Sequence, residues 1–294
     1  MKKFVTLGLS AICAFSLVAC GGKKDKEPDH GSDISTQKAQ ALVMGIKEKN
    51  NTLSVNDFTK LTYTAKMQMD DAITTTTHKF SKEDSYIYDT IVIENMMHYE
   101  TIDNTKTYVG TTHKSIITNY FYITADGKAV DAANVFLDST SENKETGMWE
   151  RDITTSNGYG YLAETLEESQ TQFDNNALTA ASEVMTNLLS YSTQMLQTFE
   201  PFLTMPTASM PGFEIKSNGE GHLYMKQDMA DFGIYYECEF NNYMLTYMKT
   251  VMDSEKAGSI DTSTKVITTE MYFQIGVCEL SYPNLEEYTY NPNA

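Results

Sequence analysis

The sequence predicts an α+β domain, an antiparallel sheet interrupted by a central helical segment. Between about residues 57 and 153, and again from 213 to 282, short runs rich in Thr, Tyr, Ile and Val alternate with turn residues, the period-two pattern of strands. Between them, Leu178, Ala181, Met185, Leu188, Leu189, Leu196 and Phe199 recur at helical spacing. No self-similar period of 20 to 50 residues is present, which excludes a repeat protein.

The chain opens with Lys2 and Lys3, an apolar run from Phe4 to Val18, and the ending Leu17-Val18-Ala19-Cys20-Gly21. A charged start, an apolar middle and small residues at a cut form an export signal. The run of about fifteen residues falls short of the roughly twenty that span a bilayer. The ending Leu-Val-Ala-Cys resembles the lipobox of bacterial lipoproteins. That resemblance implies cleavage of residues 1–19 and a diacylglycerol on the thiol of Cys20. Two acyl chains give stable membrane anchoring where one gives only marginal binding. The protein is then expected on the cell membrane or the outer membrane, lipid-anchored and facing the extracytoplasmic side.

Residues 20–33 are polar, hold Gly and Pro, lack aliphatic side chains, and read as a tether that includes His30. Residues 34–294 are expected to form a single domain. The sequence holds 22 Lys+Arg against 40 Asp+Glu, a net charge of −18, and the cut removes two lysines and no acid. Such a surface repels phosphate backbones and anionic headgroups, so nucleic acid is not an expected partner.

Within the domain, Ser35 or Thr36 caps a helix through about Lys49, with Ala39, Leu42, Val43 and Ile46 on one face. Strands are expected at residues 59–69, 72–80, 85–93, 97–101, 106–109, 116–124, 128–130 and 148–153. Asp70-Asp71, Asp103-Asn104 and Asp126-Gly127 form hairpin turns, because Asn, Asp and Gly tolerate positive φ. Polar alternate positions such as Thr74, Thr76 and His78 imply one wetted face. Helix returns from about Tyr159 to Glu200, capped midway by Asn175 or Asn176 and stopped by Pro201. An unusually apolar loop, PFLTMPTASMPG, follows at residues 201–212. Strands are then expected at 213–217, 222–227, 232–240, 243–252 and 265–282, the last ended by Pro283.

No catalytic constellation is present in the sequence. The five histidines (His30, His78, His98, His113, His222) stand in no HExxH or CxxC context, and no GxSxG elbow, phosphate loop or GxGxxG precedes a helix. Gly158-Tyr159-Gly160 reads as a helix start. Asp253-Ser254-Glu255-Lys256-Ala257-Gly258 begins like a calcium loop but has Ala257 at the fifth position and Thr264 at the twelfth, and reads as a hairpin loop. Asp70-Asp71 and Glu167-Glu168 are sequence neighbours whose side chains diverge, so neither is an acid/base pair. The protein is therefore read as a non-enzyme without metal or cofactor.

Cys238 and Cys278 remain after Cys13 is discarded and Cys20 lipidated. A tight turn at Asn241-Asn242 sets Cys238 opposite about Leu245 and leaves Cys278 far off and free. One long hairpin of residues 232–252 with 265–282 would instead set the cysteines opposite each other. Many methionines stand among the apolar residues, and this soft side chain suits variable apolar ligands as well as core gaps.

A lipobox, a tether, a leading helix, a meander, a helical insertion and a closing strand together resemble the LolA/LppX-like superfamily over residues 35–283. Phe240-Asn241-Asn242-Tyr243-Met244-Leu245 resembles the turn into its penultimate strand, and residues 271–283 the final one. The resemblance implies a strongly curved antiparallel sheet, an open half-barrel, with helices packed on its concave face over a cavity for acyl chains. It implies a carrier with no catalytic residue. The expected ligand, a lipid or other apolar molecule, would meet Met185, Leu188 and Leu189 of the helix and pass a gate holding Leu203 and Met205. The alternative is an interaction module, an adhesin, sensor or assembly partner, in which these side chains fill the core themselves.

Overall fold

The computed structural model describes residues 29–102, 104–204, 211–258 and 265–291, so the signal, Cys20 and most of the tether lie outside the described residues. From Ser32 onward the chain is one compact unit. It is an α+β fold: among the described residues thirteen strands form one sheet that does not close, with two long helices.

After the two-residue β1 (Ser32–Asp33), α1 spans Thr36–Thr52. Its N-cap Ser35 accepts a hydrogen bond from the Lys38 backbone N–H, and its buried stripe is Ala39, Leu42, Val43 and Ile46, as the spacing predicts. A meander follows: β2 (Lys60–Met69), β3 (Ala72–Ser81), β4 (Tyr86–Ile102), β5 (Thr105–Ile123), β6 (Ala129–Glu142) and β7 (Trp149–Ala163). Asp70 (φ 52°), Asn104 (φ 61°) and Gly127 (φ 87°) turn it where expected. The helix α2 (Leu166–Leu203) then leads to β8 (Phe213–Ser217), β9 (Leu223–Met229), β10 (Ile234–Asn241), β11 (Met244–Asp253), β12 (Val266–Ile275) and β13 (Thr289–Tyr290). Strand order is β1-β8-β9-β10-β11-β12-β2-β3-β4-β5-β6-β7-β13, so β12 closes back on β2 and joins the two meanders. The sheet is mixed, because β13 runs parallel to β7.

Several expected boundaries differ. The runs at 85–93 and 97–101 are one strand: Asn95 (φ 55°) breaks the side-chain alternation without ending the pairing. A register shift between Thr112 and Lys114 likewise hides the continuity of β5 and places His113 within a strand. Strands β6 and β7 run far past residues 130 and 153, and Gly158-Tyr159-Gly160 lies in β7, paired with Ala133 to Asp131. The helix therefore starts at Leu166, capped by Thr165, and passes through Asn175 and Asn176 without a break. Pro201 sits in its last turn rather than beyond it, and Leu178 faces solvent. Strand β12 stops at Gly276 (φ 82°), not at Pro283.

From Gly276 the chain crosses the sheet face opposite the helices. Tyr86 donates its hydroxyl to the Ser281 carbonyl, and Cys278, Leu285 and Tyr288 pack on a cluster built from Tyr86, Tyr122, Val130 and Ala132. The β10–β11 turn falls one residue later than expected, at Asn242 (φ 48°) and Tyr243 (φ 63°), and a register shift follows Glu239. Cys238 therefore faces Met248, not Leu245. Cys278 lies beyond β12, and both cysteines are free.

Both helices bury into one core. Leu188, Phe199 and Ile46 join Phe240, Leu245 and Phe273 of the sheet, and Phe173 of α2 stacks on Phe121 at 6.3 Å. No described helix is long and apolar enough to cross a membrane.

Candidate functional site

Residues directly opposite in antiparallel strands point to the same face, so the register traces side-chain rows across the sheet. One row starts at Ala65 and runs through Met271, Met248, Cys238 and Met225 to Ile215. Every one of these after Ala65 is buried under the helices, Met248 being 2% exposed. In the other direction the same row runs through Thr76, Ile91 and Ile117 to Val135. Here the cover ends: Ile91 is 39% and Ile117 37% exposed. The two neighbouring rows carry Met67, Ile93 and Leu137, and then Met69, Ile267 and Met252, of which the three methionines are exposed. The helix-bearing face therefore continues as an open apolar shelf over β2 to β6, with a second open end at β11–β12.

On the inner side of this shelf lies a polar row, His78, Asp89 and Asn119, beside Tyr63. Thr74, Thr76 and His78 belong to the helix-bearing face, not to the outer one, because His78 pairs with the core residue Tyr63. His78 Nδ1 lies 2.5 Å from Asp89 Oδ1, and its ring stacks on Tyr63 with centroids 5.7 Å apart. Burial alone would lower the His78 pKa, but the hydrogen bond and charge of Asp89, with Glu183 of α2, leave it raised. Burial, reinforced by Tyr191 and Glu183, pushes the Tyr63 hydroxyl up to about 12, so it stays protonated.

The other polar clusters are closed on themselves. On the outer face Tyr224 and Tyr235 donate to Glu237 at 2.8 and 2.7 Å, while Lys216 and Lys226 share Glu214. His98 meets Thr112, His113 meets Thr140, and the buried His222 meets Glu239. Arg151 grips Asp138 through two hydrogen bonds of 2.8 and 2.7 Å. Among the described residues no group of three or more His, Cys, Asp or Glu could hold a metal ion.

Of the residues the sequence nominates for a ligand cavity, Leu188 and Leu203 are fully packed core side chains, and Met185 and Leu189 pack against that core half-buried. Leu203 belongs to the last turn of α2 rather than to a loop, and Met205 lies outside the described residues. The exposed apolar surface instead belongs to Ile91, Ile117, Met67 and Met69. Their alternation is visible in the sequence, but which parity faces the helices is not. Comparison with known protein families, curated proteins and solved structures finds no match for this chain.

Proposed function

We propose that this chain is an extracytoplasmic lipoprotein, held to its membrane through a diacylglyceryl Cys20, that binds a lipid or another apolar molecule on the open half of its helix-bearing sheet face. One observation carries the reading: the row from Met271 to Ile117 is sealed by helices at one end and bare at the other. Soluble proteins rarely leave contiguous apolar surface uncovered unless something binds it. The surface is built of Ile, Met and Thr, which suits a flexible aliphatic chain better than a flat ring. Each acyl methylene buried there contributes about 0.8 kcal/mol. The order of elements in the sequence resembles that of LolA/LppX-like carriers, and that resemblance supports the same reading. The role is binding, not catalysis.

The test is uptake of a fluorescent acyl lipid by the mature protein and by an Ile91→Asp, Ile117→Asp variant. Both positions are exposed, so the variant is expected to keep cooperative unfolding while losing uptake. A parent protein that takes up no lipid overturns the reading. The interaction-module reading would then stand on a different observation: Tyr108 stacks on the exposed Trp149 at 5.1 Å, with exposed Met97 and Tyr99 nearby on β4.

A further inference from the structure

We infer that His78, Asp89 and Asn119 form the polar anchor of this face, and that the molecule they hold carries an uncharged, hydroxyl-bearing head of glycerol type on an aliphatic chain. The inference rests on the apolar-binding reading above and names the ligand class for that site. The three residues occupy adjacent strands β3, β4 and β5 in one cross-strand row. Two residues further along the same strands stand Thr76, Ile91 and Ile117, about 7 Å away. A head resting on the first row therefore places its chain directly on the second.

The donors and acceptors are arranged for such a head. Asp89 Oδ1 fixes His78 Nδ1, and stacking on Tyr63 fixes the plane of the imidazole. Among the described residues His78 Nε2, Asp89 Oδ2 and the Asn119 side-chain amide have no hydrogen-bond partner, and a quarter of the His78 side chain is open to solvent. A hydroxyl group donates to Asp89 Oδ2 and accepts from the Asn119 amide, and it can meet His78 Nε2 in either protonation state. A carboxylate or phosphate would face Asp89 and Glu183 and the field of a chain with net charge −18, and an ammonium, which only donates, would leave the Asn119 amide N–H without an acceptor.

Competition binding tests this on the mature protein, using a fluorescent acyl probe displaced by a monoacylglycerol, the fatty acid and the alkylamine of the same chain length. The monoacylglycerol is expected to bind at least about tenfold more tightly than the fatty acid. Asp89→Asn should bring that ratio close to one by relieving the repulsion of the acid, and Asn119→Leu should weaken the monoacylglycerol selectively. His78→Phe keeps a ring over Tyr63 and guards against a merely structural effect: it should weaken the monoacylglycerol while unfolding cooperatively. Equal or tighter binding of the acid or the amine, or a ratio unmoved in all three variants, overturns the headgroup assignment and leaves the apolar site intact. A probe that never binds overturns the site itself.

Discussion

A side chain on Gly45 of α1 would stand where the ring of Tyr243 already lies: a methyl group there would come within 2.6 Å of Tyr243 Cε1. The other edge of that ring sits about as close, at 3.1 Å, to the corresponding position on Gly221. Tyr243 is thus wedged between two glycines and draws α1 down onto the β10–β11 hairpin. The consequence is positional. Helix α1 is held against β11, while α2 packs over β3 to β7 as well as β11 and leaves Ile91 and Ile117 on β4 and β5 uncovered.

Gly45→Ala is therefore expected to destabilise the protein. Replacing a mid-helix glycine by alanine normally gains about 1 kcal/mol, but the ring cannot retreat, and overpacking costs about 1 to 3 kcal/mol. Urea unfolding should show a net loss, larger for Gly45→Leu; a gain for Gly45→Ala would mean the ring moves freely.

Asp70 joins the first hairpin to the last long strand. Its carboxylate accepts from the backbone N–H groups of Lys265 and Val266, each at 3.0 Å, and so sets the register of β12 on β2. Asp70→Ala loses both bonds and also places a poorly suited residue at φ 52°. A loss of about 1 to 3 kcal/mol is expected, with Asp70→Asn intermediate because Asn keeps one acceptor and tolerates the left-handed backbone. Equal stability of all three proteins would deny the bridge any role.

The raised pKa of His78 gives stability a defined pH dependence. A histidine whose folded pKa exceeds its unfolded value contributes fully below the unfolded value, about 6.5, and loses that contribution as pH rises through the folded one. The stability difference between the parent and His78→Gln should be largest near pH 5.5 and should shrink towards pH 9. A difference that grows with pH contradicts the pairing with Asp89.

Asp131 behaves in the opposite sense to a paired acid. It lies opposite Phe121 on the helix-bearing face, and burial raises its pKa. A raised carboxyl contributes stability at low pH that is lost as pH rises. Asp131→Asn is expected to melt higher than the parent at pH 7, with the gap closing near pH 3. An unchanged or lowered Tm at pH 7 would show that the carboxylate has a favourable partner.

Cys238 is fully buried and its thiol pKa is pushed well up by burial, whereas Cys278 is half-buried on the outer face. With Cys20 blocked, as the proposed lipidation would do, a thiol reagent should modify Cys278 slowly in the native state and Cys238 only in denaturant. Without reductant, two reactive thiols are expected in denaturant; none would restore the long-hairpin pairing.

Much of the local structure was legible in the sequence because it depends on neighbours along the chain. Ser35 as a cap, the stripe Ala39-Leu42-Val43-Ile46, the turns at Asp70, Asn104 and Gly127, and the strands β8 to β11 follow from capping, periodicity and tolerance of positive φ. Three features were decided only by tertiary contacts. Asn95 and His113 interrupt alternation in isolation, yet cross-strand pairing carries β4 and β5 straight past them. Thr76 and His78 read as a wetted face, yet the pairing of His78 with Tyr63 turns them towards the helices, because parity along one strand says nothing of which side a distant helix will cover. The α2 stripe reads equally as core or as ligand wall. Packing against Phe240 and Phe273 makes it core, and the apolar surface left over belongs to Ile91 and Ile117, because two helices cannot cover a face thirteen strands wide.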